Sequence, residues 1–172
     1  DGDGVLNSDD LCPNGAQYWA GLSEDNDGDG CRDADEDNND DNDPFLDIND
    51  ACPSGHSSWQ DLYFDHDNDG CHDTFEDSDD DNDGINDRDD NCPQGLVLWI
   101  SSPATDQDGD GCHDSTEDDD RDNDGILDNL DQCSMGLSGW FSTTLNDWDA
   151  DGCNDSLEDL DDDNDGFLDT ED

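Results

Sequence analysis

Basic residues are almost absent. The 172-residue chain has three cations, Arg32, Arg88 and Arg121, against 56 acids, for a net charge of −53. No basic patch exists to grip a phosphate backbone, so nucleic acid is excluded as a partner. Apolar residues are scarce as well, at 27%. No run approaches the roughly 18 residues of a membrane span, so none is expected in this segment. No nucleophile elbow or phosphate loop occurs. Paired acids for hydrolysis cannot be singled out where carboxylates are everywhere. The chain therefore reads as no enzyme. The eight cysteines contain no C-x-x-C pair. Their even number and strict spacing favour disulfides and an extracellular or cell-surface setting over zinc. By composition alone this is a disordered polyanion. Such a charge density repels itself unless cations are bound inside it.

Where those cations go is written in the stretch DNDGDGCRDADE, residues 25–36. Asp25, Asp27 and Asp29 stand at places one, three and five of a twelve-residue loop. Gly30 holds place six, Cys31 seven, Asp33 nine and Glu36 twelve. This is the ligand order of an EF-hand-type calcium loop, in which place seven supplies only a backbone carbonyl. Glycine at place six permits the sharp turn back toward the metal. The pattern recurs in register three more times. Residues 65–76 offer Asp65, Asp67, Asp69, Cys71, Asp73 and Glu76. Residues 106–117 offer Asp106, Asp108, Asp110, Cys112, Asp114 and Glu117. Residues 147–158 offer Asp147, Asp149, Asp151, Cys153, Asp155 and Glu158.

A second type of loop follows each first one, starting 14 residues later, with aspartate at place twelve and an apolar residue at seven. Residues 79–90 give Asp79, Asp81, Asp83, Ile85, Asp87 and Asp90 as ligands. Residues 120–131 give Asp120, Asp122, Asp124, Ile126, Asp128 and Asp131. Residues 161–172 give Asp161, Asp163, Asp165, Phe167, Asp169 and Asp172. The copy at 39–50 departs twice, with Asn39 at place one and Pro44 at place six. Asp41, Asp43, Asp47 and Asp50 remain, so an ion is still expected there, bound more weakly or with an altered turn. Two residues separate the paired loops, which leaves no room for the helices of an EF-hand.

The cysteines set a period of 40 or 41 residues. The expected divisions are 1–10 as the end of a preceding repeat, then repeats at 11–50, 51–90, 91–131 and 132–172. Asp1 and Asp10 fit places three and twelve of an earlier loop, so both ends read as cuts through a longer array. Each repeat also has a turn, C-P-x-G in three copies and Cys133-Ser134-Met135-Gly136 in the fourth. Trp19, Trp59, Trp99 and Trp140 follow within short variable inserts, which carry most of the apolar residues. These tryptophans are expected to pack on the local bridge and turn, or to contact another chain. Trp148 lies outside the series and is expected to be exposed. Place eight holds Arg32, His72, His113 and Asn154, a mixture that suggests a solvent-facing position and no ligand. Asn154-Asp155-Ser156 is a glycosylation sequon inside a loop. Only small cores are possible, so bridges and metal must replace core burial. Pairing of the cysteines stays open at this point.

Alternating acidic loops followed by x-C-P, best seen in DDDNDGINDRDDNCP at 79–93, resemble thrombospondin type 3 repeats across essentially the whole chain. The style is that of secreted microbial surface proteins. Two features differ from that family: the other cysteine stands at place seven, and the Trp-bearing insert is added. The resemblance implies a calcium core, little regular secondary structure, and the bridges Cys12–Cys31, Cys52–Cys71, Cys92–Cys112 and Cys133–Cys153. The rival pairing is Cys31–Cys52, Cys71–Cys92 and Cys112–Cys133.

The expected fold is an elongated, irregular, calcium-cored and disulfide-stapled tandem array, in which repeats contact their neighbours. The expected function is an extracellular structural rod, either a stalk or the strand of a fibre of identical chains. The alternatives are an adhesin module using the Trp-bearing inserts, and a calcium buffer or mineral-binding polyanion. Eight complete loops imply at least eight Ca²⁺, which bring the charge of −53 only to about −37, so shared additional ions are expected.

Overall fold

The computed structural model describes residues 2–19, 21 and 23–171. Asp1 and Asp172, the latter assigned to place twelve of the last loop, lie outside the described residues. The chain divides into two compact units, Asp1–Asp80 and Asp81–Asp172. Among the described residues there is neither an α-helix nor a β-strand. The regular elements are single 3₁₀ turns at Asp47–Asn49 and Leu62–Phe64. The first covers places nine to eleven of a second-type loop. The two loops of each pair start 14 residues apart with two residues between them, and the segment before the next pair is broken by the turn glycine, which leaves little chain to propagate a helix.

Backbone pairing is instead local and repeats with the sequence. In every described loop of the first type the amide at place nine donates to the carbonyl just before place one. Examples are Asp33 to Glu24 at 3.1 Å and Asp155 to Asn146 at 3.0 Å. The amide at place twelve closes one α-type turn on place eight, as in Glu36 to Arg32 at 2.9 Å. The residue before each turn cysteine donates to the place-five carbonyl of the following first-type loop. Within the first unit these are Leu11 to Asp29 and Ala51 to Asp69; within the second, Asn91 to Asp110 and Gln132 to Asp151.

The disulfides lock these contacts. The first unit holds Cys12–Cys31 and Cys52–Cys71, the second Cys92–Cys112 and Cys133–Cys153. This is the pairing implied by the resemblance, and no cysteine is free to form the shifted one. Each bridge closes a ring of about 20 residues, which in chain-entropy terms stabilises by about 3 kcal/mol.

The core is small and mostly acidic. Its apolar members are Trp19, Trp59 and the cysteines at place seven. The fully buried side chains are all aspartates: Asp41, Asp65, Asp81, Asp83, Asp106, Asp122, Asp124 and Asp147. Most apolar insert residues, including Tyr18, Leu62, Tyr63, Leu98, Ile100, Phe141 and Leu145, are exposed. Trp148 is exposed as expected.

Place eight corrects one expectation. His72 and Asn154 are buried there, at 5% and 8% exposure. His72 stacks on Phe64 at 4.9 Å and meets Trp59 edge-on at 5.4 Å. His113 meets Trp99 edge-on at 4.8 Å. Where it is histidine, this residue is the floor on which the periodic tryptophan rests. Burial also closes the Asn154 sequon to modification from solvent.

The residue before each tryptophan is left-handed: Tyr18 (φ 70°), Ser58 (65°), Leu98 (69°) and Gly139 (85°). Only glycine adopts this region without strain. Tyr18 and Leu98 do so while almost fully exposed, each at 95%.

Candidate metal centres

Each loop is wound by its own carboxylates accepting amide hydrogen bonds. In loop 147–158 the Asp147 carboxylate accepts from the amides of Asp151 at 3.1 Å and Gly152 at 3.3 Å. Asp151 accepts from Cys153 at 3.0 Å, and Asp155 from Trp148 at 3.1 Å. The same four bonds recur in loops 25–36, 65–76 and 106–117. Place one uses both of its carboxylate oxygens in these turns, whereas places five and nine use Oδ1 and leave Oδ2 to point elsewhere.

Carboxylate oxygens of the loops gather in common centres. Asp25, Asp27 and Asp29 each bring an oxygen within 4.8 Å of the others, as do Asp65, Asp67 and Asp69. In the second loop type, Asp41, Asp43 and Asp50 converge in the same way. Place five has one oxygen held by the amide at place seven, as in Asp43 with Phe45 at 2.6 Å and Asp124 with Ile126 at 2.7 Å. Place twelve has one oxygen held by the cysteine amide two residues on. These bonds are Asp10 with Cys12, Asp50 with Cys52, Asp90 with Cys92 and Asp131 with Cys133. The Oδ2 atoms of Asp10, Asp43, Asp50, Asp90, Asp124 and Asp131 are buried with no hydrogen-bond partner. Orphaned buried carboxylate oxygens are costly unless a cation meets them.

No side chain of the protein meets that need. The three arginines pair with Asp35, Asp89 and Asp128, none of which stands at places one, three, five or twelve. Burial, with neighbouring carboxylates behind it, pushes Asp41 up to about 7 and Asp50, Asp90, Asp122 and Asp131 up to about 6. The donors gathered in these groups are all hard oxygens, and the cysteines are consumed in disulfides. Such a set fits calcium or magnesium better than zinc or copper.

Two further groups join residues that the sequence assigns to different loops. Asp33, Asp37 and Asp40 converge within 4.8 Å, as do Asp73, Asp77 and Asp80. Asp37 and Asp77 lie in the two-residue connector, which the loop template leaves out. The same connector place is filled by Asp118 and Asp159. All four have Oδ1 held by the amide that opens the next loop. All four have a buried Oδ2 with no hydrogen-bond partner. Their recurrence in every repeat is the signal by which the sequence identifies them.

The loop at 39–50 resolves its two departures together. In sibling loops the place-one carboxylate accepts the glycine amide of place six: Gly125 to Asp120 at 3.1 Å and Gly166 to Asp161 at 2.9 Å. Those glycines have φ of 96° and 92°. Pro44 has no amide hydrogen to donate and cannot reach such angles. Asn39 replaces the missing bond with one of its own, Nδ2 to the Asp43 carbonyl at 3.1 Å, and its buried Oδ1 has no hydrogen-bond partner. The remainder of the loop keeps the shared form, including left-handed Asn42 and the Asp40 amide on Asp47.

The place-twelve glutamates reach back to the turns. Glu36 accepts from Ala16 at 2.6 Å, Glu76 from His56 at 2.6 Å and Glu158 from Leu137 at 2.7 Å. No protein-family model matches the chain, and comparison with curated proteins finds no match.

Proposed function

We propose that the protein is an extracellular structural rod whose repeats are wound around calcium, serving as a stalk or as the strand of a fibre. The supporting observation is the recurring set of buried carboxylate oxygens that have no partner within the protein. A chain that buries aspartates where others bury leucine requires cations as the substitute for an apolar core. Loops at both places, and the groups containing connector aspartates, supply more sites than there are loops. The proposed ion number therefore exceeds eight. The resemblance to thrombospondin type 3 repeats supports the same reading, as do the disulfides, which suit an oxidising setting. No helix is long and apolar enough to cross a membrane among the described residues.

A second reading, an adhesin-type module, has one observation in its favour. Tyr18 and Leu98 are held outward in left-handed conformations that cost energy in the folded chain. Under this reading the inserts touch a ligand and the calcium-bound loops are the scaffold.

The test is native mass spectrometry for bound calcium, together with small-angle scattering and electron microscopy with and without chelator. The rod reading expects more than eight ions, elongated particles, and expansion on chelation. Fewer than eight ions, or unchanged dimensions after chelation, overturns it.

A further inference from the structure

We propose that the glutamate ending a first-type loop serves the centre of the second-type loop before it, not the centre of its own loop. Glu76 would complete the centre of loop 39–50, and Glu158 that of loop 120–131. The inference rests on the calcium reading above and concerns which residues share an ion.

In the second unit, two consecutive amides of the turn hold carboxylates from two different loops. Gly136 donates to Asp122 Oδ2 at 3.0 Å, and Leu137 donates to Glu158 Oε1 at 2.7 Å. The other oxygen of each, Asp122 Oδ1 and Glu158 Oε2, is buried with no hydrogen-bond partner. Asp124 Oδ2, from the same second-type loop, is in the same condition. Asp122 and Asp124 are both completely buried, at 0% exposure. Two orphaned oxygens from two loops thus remain at one turn, and Asp124 lies near enough to Glu158 for the two charges to interact.

The first unit repeats the two turn contacts, with one difference: the other oxygen of Glu76, Oε1, accepts from the His72 amide of its own loop at 3.0 Å. Gly55 donates to Asp41 Oδ2 at 3.1 Å, and His56 donates to Glu76 Oε2 at 2.6 Å. Asp41 belongs to the group formed with Asp43 and Asp50. Asp43 is 4% exposed, and its Oδ2 has no hydrogen-bond partner.

The turn glycine explains why the two carboxylates can approach. Gly136 is not left-handed, so backbone freedom is not its purpose. A Cβ there would lie 2.6 Å from Glu158 Oε1 and 3.0 Å from Asp122 Oδ2. It would also lie 2.7 Å from the Cys133 carbonyl, so the space is kept open for the two carboxylates and for the turn's own backbone. The loop that gives up its glutamate has a substitute in the connector aspartate next to it, Asp77 or Asp159, whose Oδ2 is free and buried. The ion of a second-type loop then ties the same two segments as the neighbouring disulfide, Cys133 with Cys153 in the second unit.

The deciding experiment is a crystal structure of the full chain grown in calcium, with ions located by anomalous scattering. The expected result is a Glu158 oxygen about 2.3–2.6 Å from the ion held by Asp122, Asp124 and Asp131. Glu158 on the ion held by Asp147, Asp149 and Asp151 overturns the proposal. A calcium-grown crystal with no ion in any loop overturns the calcium reading itself. Calcium titration of E158Q is the second measurement. One site should weaken about tenfold or more, because a charged ligand is lost, and in E158Q crystals the ion of loop 120–131 should be the one depleted. Depletion at loop 147–158 instead defeats the assignment, with the calcium reading left standing.

Discussion

Asn39 and Pro44 should behave as one unit, and a double-mutant cycle measures how strongly. Replacing Pro44 with Gly restores the amide hydrogen found in sibling loops, but Asn39 already spends its Nδ2 on the Asp43 carbonyl at 3.1 Å. The single P44G change therefore gains no partner. It costs about 0.4–1 kcal/mol through the freer unfolded chain. Replacing Asn39 with Asp removes the Nδ2 bond, at about 0.5–1.5 kcal/mol, and faces a carboxylate toward a proline that cannot donate. The double variant regains the sibling bond, a glycine amide on a carboxylate at 2.9–3.1 Å. Hydrogen bonds to charged groups contribute about 1.5–3 kcal/mol. The coupling should therefore be about 2 kcal/mol in favour of the pair. A local reporter exists in the Ser58 amide, which donates to the Asp41 carbonyl at 2.7 Å. Native-state hydrogen exchange at Ser58 in saturating calcium, for the parent, both single variants and the double, reads the local opening energy. If the two changes add within about 0.5 kcal/mol, the residues are independent and the reasoning is refuted.

Acidification should act in opposite directions with and without calcium. Burial raises Asp41 to about 7 and Asp131 to about 6 in the metal-free fold. A raised carboxyl pKa means that the fold binds more protons than the unfolded chain between about pH 4 and 7, so metal-free stability falls as pH rises through that window. Scattering in chelator should show compaction as pH drops from about 7 to about 4.5, while the calcium-bound chain should release ions over the same range; expansion in chelator would sink this account. The C133A/C153A variant should lose about 3 kcal/mol in a calcium-saturated melt, and a loss below about 1 kcal/mol would mean that the ions already constrain the unfolded chain. Y18G should raise stability by up to about 1 kcal/mol by relieving the left-handed strain at a side chain that is 95% exposed; a lower melting temperature would show that Tyr18 packs on something.

Places one to seven of each first-type loop were legible because the carboxylate–amide bonds that wind them join residues at most five apart. Asp147 with Gly152 is the longest of them. The template needs nothing beyond the loop to place them. Bridges were legible only through a resemblance, since the spacing admits two pairings. The connector aspartates have no assigned role in the EF-hand template, which stops at place twelve. The burial of His72 depends on Phe64 and Trp59, which sit in the variable insert. The destination of Glu158 depends on a turn 21 residues earlier. Each of these is decided by how the chain folds back through its bridge, a relation that periodicity does not encode.

A protein without helices or strands among its described residues has an optical consequence. Far-ultraviolet circular dichroism sums over repeating backbone conformations, and the short turns seen in this chain contribute little to it. Ordered and denatured samples would then have similar spectra, and a screen based on that signal would discard the folded material as random coil. Order is reported instead by groups in asymmetric surroundings, namely Trp19, Trp59 and the four cystines. The near-ultraviolet band is therefore the region in which to follow this chain.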